Sequence, residues 1–346
     1  MFELTATRAA RGAQQVLADA GKETFLALRQ AVEGLPQRVR HAAGVHFAWW
    51  DTAGAPQTGS TGKAVRSALA LLACEAVGGN RSAAVPAAVA VELVHNASLL
   101  HDDIIDNDRL RRGRPALWIQ LGLPAGILVG DALLFLAIEV LADTRPPLGL
   151  AGLAELLPSV QELIDGEYAD SLLETWTEVS LTQSQTVATA KTSPLVATAC
   201  ALGALAGGAD ADRVGHLRAF GAHLGAAYQL IDDLLGILGD PLRTGKSAGS
   251  DLQARKKSPP VVAALSADNA AGRELARRYS QRDHMSPADL HHLVYLVQEA
   301  GGCAWAVEQA EQHIASGLER LHSAGPEPTA AVELTSLARL IIDRDD

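Results

Sequence analysis

AVPAAVAVELVHNASLLHDDIID, running from Ala84 to Asp106, is the stretch that decides the fold. Its long run of small and straight-chain apolar residues favours a helix over a strand. A helix of that length can carry several polar groups to a pocket while the rest of its surface packs against neighbours. Three carboxylates close it, at Asp102, Asp103 and Asp106, and a charged turn with four arginines follows, ending at Pro115.

Working outward, the same helical composition recurs from Ala125 to Leu141, Leu153 to about Glu174, Leu181 to Leu205 and Arg213 to Leu238. PPLG (Pro146–Gly149), AGGADAD (Ala206–Asp212) and the turn-rich GDPLRTGKSAGSD from Gly239 separate these segments. Amphipathic helices are expected around Ala271, Leu290, Ala304 and Ala330. Upstream, residues 1 to about 40 read as helices, HFAWWD (His46–Asp51) places Trp49 and Trp50 for packing, and DTAGAPQTGSTG (Asp51–Gly62) reads as a loop before a helix from Lys63 to Val77. The chain therefore reads as all-α, with roughly ten or more helices packed around an elongated central cavity. It reads as a single domain over residues 1–346, with peripheral N-terminal helices at about 1–45.

Composition bounds the function. The 346 residues are 48% hydrophobic but only 4% aromatic, which disfavours a sheet-dominated fold and supports a substantial core. Lys and Arg total 29 against 40 Asp and Glu, a net charge of −11, which speaks against a general nucleic-acid surface while leaving room for a local basic pocket. Cys74, Cys200 and Cys303 show neither disulfide nor zinc spacing and read as reduced, mostly buried thiols in an intracellular protein. No run is read as a membrane span and the N-terminus lacks a secretory apolar centre, so a soluble protein is expected.

Chemistry concentrates in two acidic regions. Asp102 and Asp106 lie four residues apart, on one helical face, so both carboxylates can approach one magnesium ion while Asp103 orients a neighbour. The arginines that follow suit the oxygens of a diphosphate. Asp232-Asp233, in AAYQLIDDLLGILGDP, forms the second region and precedes a turn rich in Gly, Pro and Lys. Solvated acidic helix ends and ordinary surface cations are the plain alternatives for each region alone.

Taken together the order of motifs resembles the trans-isoprenyl diphosphate synthases, the polyprenyl synthetase family with the type I isoprenoid-synthase fold. TGKAVRS (Thr61–Ser67), ELVHNASLLHDD (Glu92–Asp103), DNDRLRRGRP (Asp106–Pro115), AKTSP (Ala190–Pro194) and QLIDDLLGILGDP (Gln229–Pro241) carry the resemblance, over Lys63 to Lys257. It implies that Lys63, Arg66, His95 and Arg112 bind isopentenyl diphosphate. Arg111, with Lys191, Gln229, Lys246 and Lys256, is implied for the allylic diphosphate, and Thr192 for receiving or orienting the departing proton. Asp102, Asp106 and Asp232 are implied as magnesium ligands, three ions in the closed substrate complex, with Asp103 and Asp233 orienting the ligands.

The implied reaction is magnesium-dependent head-to-tail condensation of isopentenyl diphosphate with an allylic diphosphate, giving geranylgeranyl diphosphate. Farnesyl or longer polyprenyl products, terpene cyclisation and an inactive regulatory subunit are the alternatives. Ala97 and Ser98, one turn before the first acidic motif, do not force a short product, and Phe135 on the next helix is a candidate for a deeper barrier. A homodimer, a cytoplasmic location and association with a protein nanocompartment, as for some closely similar synthases, are further expectations, with no nucleic acid and no membrane span. Two departures stand out: Gly236 replaces the final carboxylate of the family's usual DDxxD, for which Asp240 is no positional substitute, and Glu167 in GEYAD replaces the familiar Gly-Gln pattern.

Overall fold

The computed structural model describes residues 9–57, 62–146, 148–176, 178–239, 249–280 and 285–342. Helices dominate, as the composition requires. In chain order they are α1 (Ala13–Glu33), α2 (Gln37–His46), α3 (Val65–Ala76), a 3₁₀ turn (Arg81–Ala84), α4 (Val85–Ile105), α5 (Leu117–Leu121), α6 (Leu123–Ala142), α7 (Gly149–Thr175), α8 (Leu181–Ala206) and α9 (Ala211–Leu238). The C-terminal part adds α10 (Ser250–Gln253), α11 (Pro259–Leu265), α12 (Ala270–Tyr279), α13 (Pro287–Glu299), α14 (Gly302–Ser323) and α15 (Pro328–Ile342). Among the described residues the only sheet is a two-stranded hairpin, β1 (Leu110–Arg111) with β2 (Arg114–Pro115), inside what the sequence presents as a charged turn.

The chain divides into two compact units. The first comprises Met1–Val160, Leu195–Gly221 and Leu318–Leu337. Its core forms where α4 packs on α3 and α6, with α1 against α3 and α4. Leu69, Leu71 and Leu72 of α3 and Leu93 of α4 are fully buried, each contributing about 1.5–3 kcal/mol relative to exposure. α1 presents Val16, Ala20, Leu28 and Val32 as a buried stripe at helical spacing. Trp49 packs as expected, stacked on Phe47 with ring centroids 4.8 Å apart. Arg11 reaches α15, donating through its Nη2 to the fully buried carboxylate of Glu333 at 2.7 Å.

The second unit comprises Gln161–Pro194, Ala222–Gly317 and Ala338–Asp346. Its apolar centre joins Ile237 of α9, Leu252 of α10, Val261 of α11, Leu275 of α12 and Leu293, Leu296 and Val297 of α13.

Three expectations need correction. The helix expected from Lys63 begins at Val65, because Ala64 takes a left-handed conformation (φ 53°) that ends helical geometry on its N-terminal side. Two helical stretches, Arg81–Ile105 and Leu123–Ala142, are long and apolar enough to cross a membrane, contrary to the reading of the sequence. The first is 67% buried inside the fold, where its apolar length serves as core; the second is 39% buried. Finally, Phe135 is 73% exposed on α6, so it does not form an interior floor in this chain. The thiols of Cys74 and Cys200 are buried as expected, and burial pushes them up to about 11 and about 12.

Candidate active site

The first unit assembles an acidic helix end beside a cationic cluster. Asp106 is the C-cap of α4 and its N–H donates to Asp102 O at 2.8 Å, so the two carboxylates are one turn apart on one face. Both stand at the negative end of the helix dipole, an unfavourable place for an anion unless cations attend it. Asp103, 1% exposed, accepts from Arg111 Nε at 2.7 Å and from its Nη2, which binds the hairpin to the helix end. Burial alone would lower the Arg111 pKa, but Asp103, then Asp108 and Asp102, raise it and keep the guanidinium charged. His101 anchors the same turn from the other side: its ring lies over Gly130 of α6, where a Cβ would come within 2.2 Å of Nε2.

The hairpin delivers its arginines by turn chemistry. Arg112 (φ 53°) and Gly113 (φ 71°) are both left-handed between the paired residues Arg111 and Arg114, the requirement of a tight type I′ connection. Arginine bears a steric cost there that glycine or asparagine avoids. The Arg112 guanidinium lies against Gly62 (φ 95°), 3.0 Å from where a Cβ would stand, immediately before Lys63 in the chain. Ala64, Asn107 and Arg112, three of the non-glycine residues with positive φ, thus flank Lys63, Asp106 and the hairpin tip, the concentration of strain expected near a functional site.

α3 begins without a side-chain cap of its own, and Glu92 of α4 supplies one, accepting from Ser67 Oγ at 2.8 Å and Ser67 N at 3.4 Å. This fixes Arg66 in the first turn. Its Nε is buried with no hydrogen-bond partner among the described residues, an unmet donor that suits an anionic oxygen. His95 is held well below its ordinary pKa, by burial first and then by Arg66, Arg112 and Arg111. His46, which sequence reasoning passed over, is pushed down to about 3 by burial and by Arg112, although its bond to Asn96 Oδ1 at 3.1 Å opposes the shift. A pocket lined by His46, Arg111, Arg112 and Arg114, with Val45 and Ala116, borders these groups. Neutral imidazoles among arginines mark a site built for negative charge.

In the second unit α7, α8 and α9 bring their polar residues together. Lys191 Nζ pairs with Glu167 Oε2 at 2.9 Å and Asp170 Oδ2 at 3.2 Å, so the departure at Glu167 acts directly on a cation expected to meet substrate. Thr192 Oγ1 donates to Gln229 Oε1, and Gln229 Nε2 donates to Asp233 Oδ1 at 2.9 Å. Asp232 is exposed while Asp233 is buried. Burial, followed by the charges of Asp251, Asp232 and Asp170, lifts the Asp233 carboxyl well above its usual range, against the lowering effect of Gln229. The N–H of Lys256 donates to Asp251 O at 2.8 Å. Neighbouring Lys257 is occupied otherwise, its Nζ closing the end of α7 through Leu173 O and Trp176 O. Lys246 lies outside the described residues, as does Asp240.

The residues fit magnesium by donor chemistry. All candidate ligands are carboxylate oxygens, and Asp233 Oδ2 is buried with no hydrogen-bond partner among the described residues. No three acidic, His or Cys groups form a ready cage among the described residues. That suits an ion held by one or two carboxylates together with phosphate oxygens.

A family model described as polyprenyl synthetase matches residues 48–297, spanning both acidic regions. The chain belongs to the polyprenyl synthetase family. It is 40% identical over 320 residues to the (2E,6E)-farnesyl diphosphate synthase of Mycobacterium tuberculosis, covering 92% of this chain and 89% of that protein. It is 39% identical over 319 residues to the geranylgeranyl diphosphate synthase of the same organism, covering 92% and 90%. The crystal structure of a polyprenyl synthetase from Streptomyces coelicolor matches with a TM-score of 0.91 at 39% identity, over 95% of this chain and 99% of that one. This polyprenyl synthetase is therefore a prenyltransferase enzyme with the all-α isoprenoid-synthase fold anticipated from its motifs.

Proposed function

We propose that this polyprenyl synthetase condenses isopentenyl diphosphate head to tail with an allylic diphosphate, using magnesium, and releases geranylgeranyl diphosphate. The observation that carries the reading is the cluster of Arg66, His95, Arg111 and Arg112 beside the paired carboxylates Asp102 and Asp106. Lys63, Arg66, His95 and Arg112 bind isopentenyl diphosphate, and retention of this set weighs against terpene cyclisation. Asp102, Asp106 and Asp232 hold magnesium, three ions in the closed complex, with Asp103 and Asp233 orienting the ligands. Magnesium supplies electrostatic stabilisation of the departing diphosphate.

Arg111, Lys191, Gln229, Lys246 and Lys256 orient the allylic diphosphate. Because Thr192 commits its hydroxyl proton to Gln229, its oxygen lone pairs are the side that can accept the proton released as the new double bond forms. Ala97, fully buried, puts no bulky side chain one turn before the first acidic motif. A farnesyl product is the second reading, favoured by the name of one relative.

We further infer one catalytic domain over residues 1–346, supported by a family match that runs unbroken through segments of both units. A homodimer is supported by the exposed apolar residues Ile127, Leu128 and Phe135 of α6. The protein is read as cytoplasmic, with nanocompartment association tested by co-purification with a shell protein.

The deciding experiment incubates the purified chain with magnesium, isopentenyl diphosphate and dimethylallyl, geranyl or farnesyl diphosphate, and weighs the products by mass spectrometry. A C20 diphosphate is expected. Asp102→Asn should lower turnover by about 10²–10³-fold with an unchanged circular dichroism spectrum. No elongation from any primer sinks the proposal, and hydrocarbon or alcohol without elongation favours cyclisation.

A further inference from the structure

The sequence leaves position 236 without the carboxylate that the family motif places there, and the fold fills that space from elsewhere. An added Cβ at Gly236 would stand 2.2 Å from Asp251 Oδ2 and 2.6 Å from its Cγ, so the Asp251 side chain lies where a residue-236 side chain would begin. Gly236 follows Asp232 by four residues, one turn along the same face of α9. The position is fixed by its surroundings. Gly249 N donates to Ile237 O at 3.1 Å, and Gly249 itself (φ 75°) passes so close to Leu290 that a Cβ would meet Cγ at 2.9 Å. Leu252 is fully buried in the same apolar cluster as Ile237, which holds α10 beside the end of α9. Each core anchor is thus immediately preceded in the chain by one of the two residues that meet here: Gly236 before Ile237, Asp251 before Leu252.

Asp233 gives an independent sign that a ligand is meant for this place. It is 8% exposed, Gln229 occupies its Oδ1, and its Oδ2 is buried without a hydrogen-bond partner among the described residues. Asp251 is the charge that acts on it most strongly.

We propose that Asp251 supplies the carboxylate missing at position 236, so that Asp232, Asp233 and Asp251 together form the second cation-facing array. This rests on the magnesium-dependent reading above. Gly236 is then a requirement of the arrangement: a side chain there would displace the carboxylate that replaces it.

Calorimetric titration of Mn²⁺ into the full chain in the presence of inorganic pyrophosphate tests this. Asp251→Ala should weaken Mn²⁺ binding by about tenfold or more, the scale of losing a supporting carboxylate at a metal site. Asp251→Asn, which keeps shape and packing, should weaken it likewise. Gly236→Asp alone should bind no more tightly than the parent and melt at a lower temperature. The double variant Gly236→Asp/Asp251→Ala should recover affinity to within about threefold of the parent, a rescue of the type double-mutant cycles are built to detect. Unchanged Mn²⁺ affinity in Asp251→Asn, or a double variant as weak as Asp251→Ala, overturns the proposal. Because the parent's elongation of primers is measured separately, loss of this inference is distinguishable from loss of the proposed function.

Discussion

His46 and His95 stay neutral among arginines because burial and neighbouring positive charge both oppose protonation. The unfolded chain has no such opposition, so its His46 takes up a proton near pH 6.5 whereas the folded one resists until about 3. Between those values the unfolded state binds more protons, and stability falls as pH falls. Urea denaturation at pH 7.5 and pH 5 should show His46→Gln losing about 1–2 kcal/mol less than the parent over that interval. Arg112 presents the opposite bargain: Asn fits the left-handed turn position better, so Arg112→Asn should raise stability by about 0.5–1 kcal/mol while raising the KM for isopentenyl diphosphate, measured side by side. The carboxylates of both acidic regions and the arginine pair could be put forward from sequence because their spacing suggests the chemistry. His46 and the proposed Asp251 could not, since each reaches its neighbours through tertiary packing that no local spacing encodes.

At the level of elements, helix existence followed from composition, whereas helix ends depended on groups distant in sequence. Arg213 at the start of α9 is the clearest instance. Its Nε donates to Ala324 O at 2.9 Å, and its Nη groups to Ala76 O, Val77 O and Gly325 O at 3.1–3.3 Å. One guanidinium therefore binds carbonyls at the end of α3 and just beyond α14, where intrahelical donors have run out, with Glu327 N also donating to Ala76 O. Arg213→Ala should cost about 2–4 kcal/mol in chemical denaturation, and Arg213→Lys should recover only part, since a single ammonium cannot reproduce the planar fork. Glu92 capping α3 and Lys257 closing α7 follow the same rule. The hairpin at Leu110–Pro115 escaped sequence reading for a related reason: Arg-Gly is an unusual occupant of a turn that normally announces itself by Asn-Gly.

For the whole molecule, the formal charge of −11 is distributed unevenly. Arg66, Arg111 and Arg112 gather around His95, and carboxylates gather at the end of α4 that is already negative. Asp102, Asp103 and Asp106 crowd the last turn of α4, with Asp108 just beyond it. Binding of magnesium with pyrophosphate should relieve that crowding and raise the melting temperature, by linkage between ligand and folding. Dilute electrolyte should relieve part of it too. Mobile counter-ions screen repulsion over a Debye length of about 10 Å at 0.1 M, so the ligand-free protein should melt at a higher temperature as sodium chloride is raised from 10 to roughly 300 mM. Asp106→Asn should flatten that dependence, and a parent protein indifferent to salt would contradict the account. The ligand-free protein is thus expected to behave as a mild halophile.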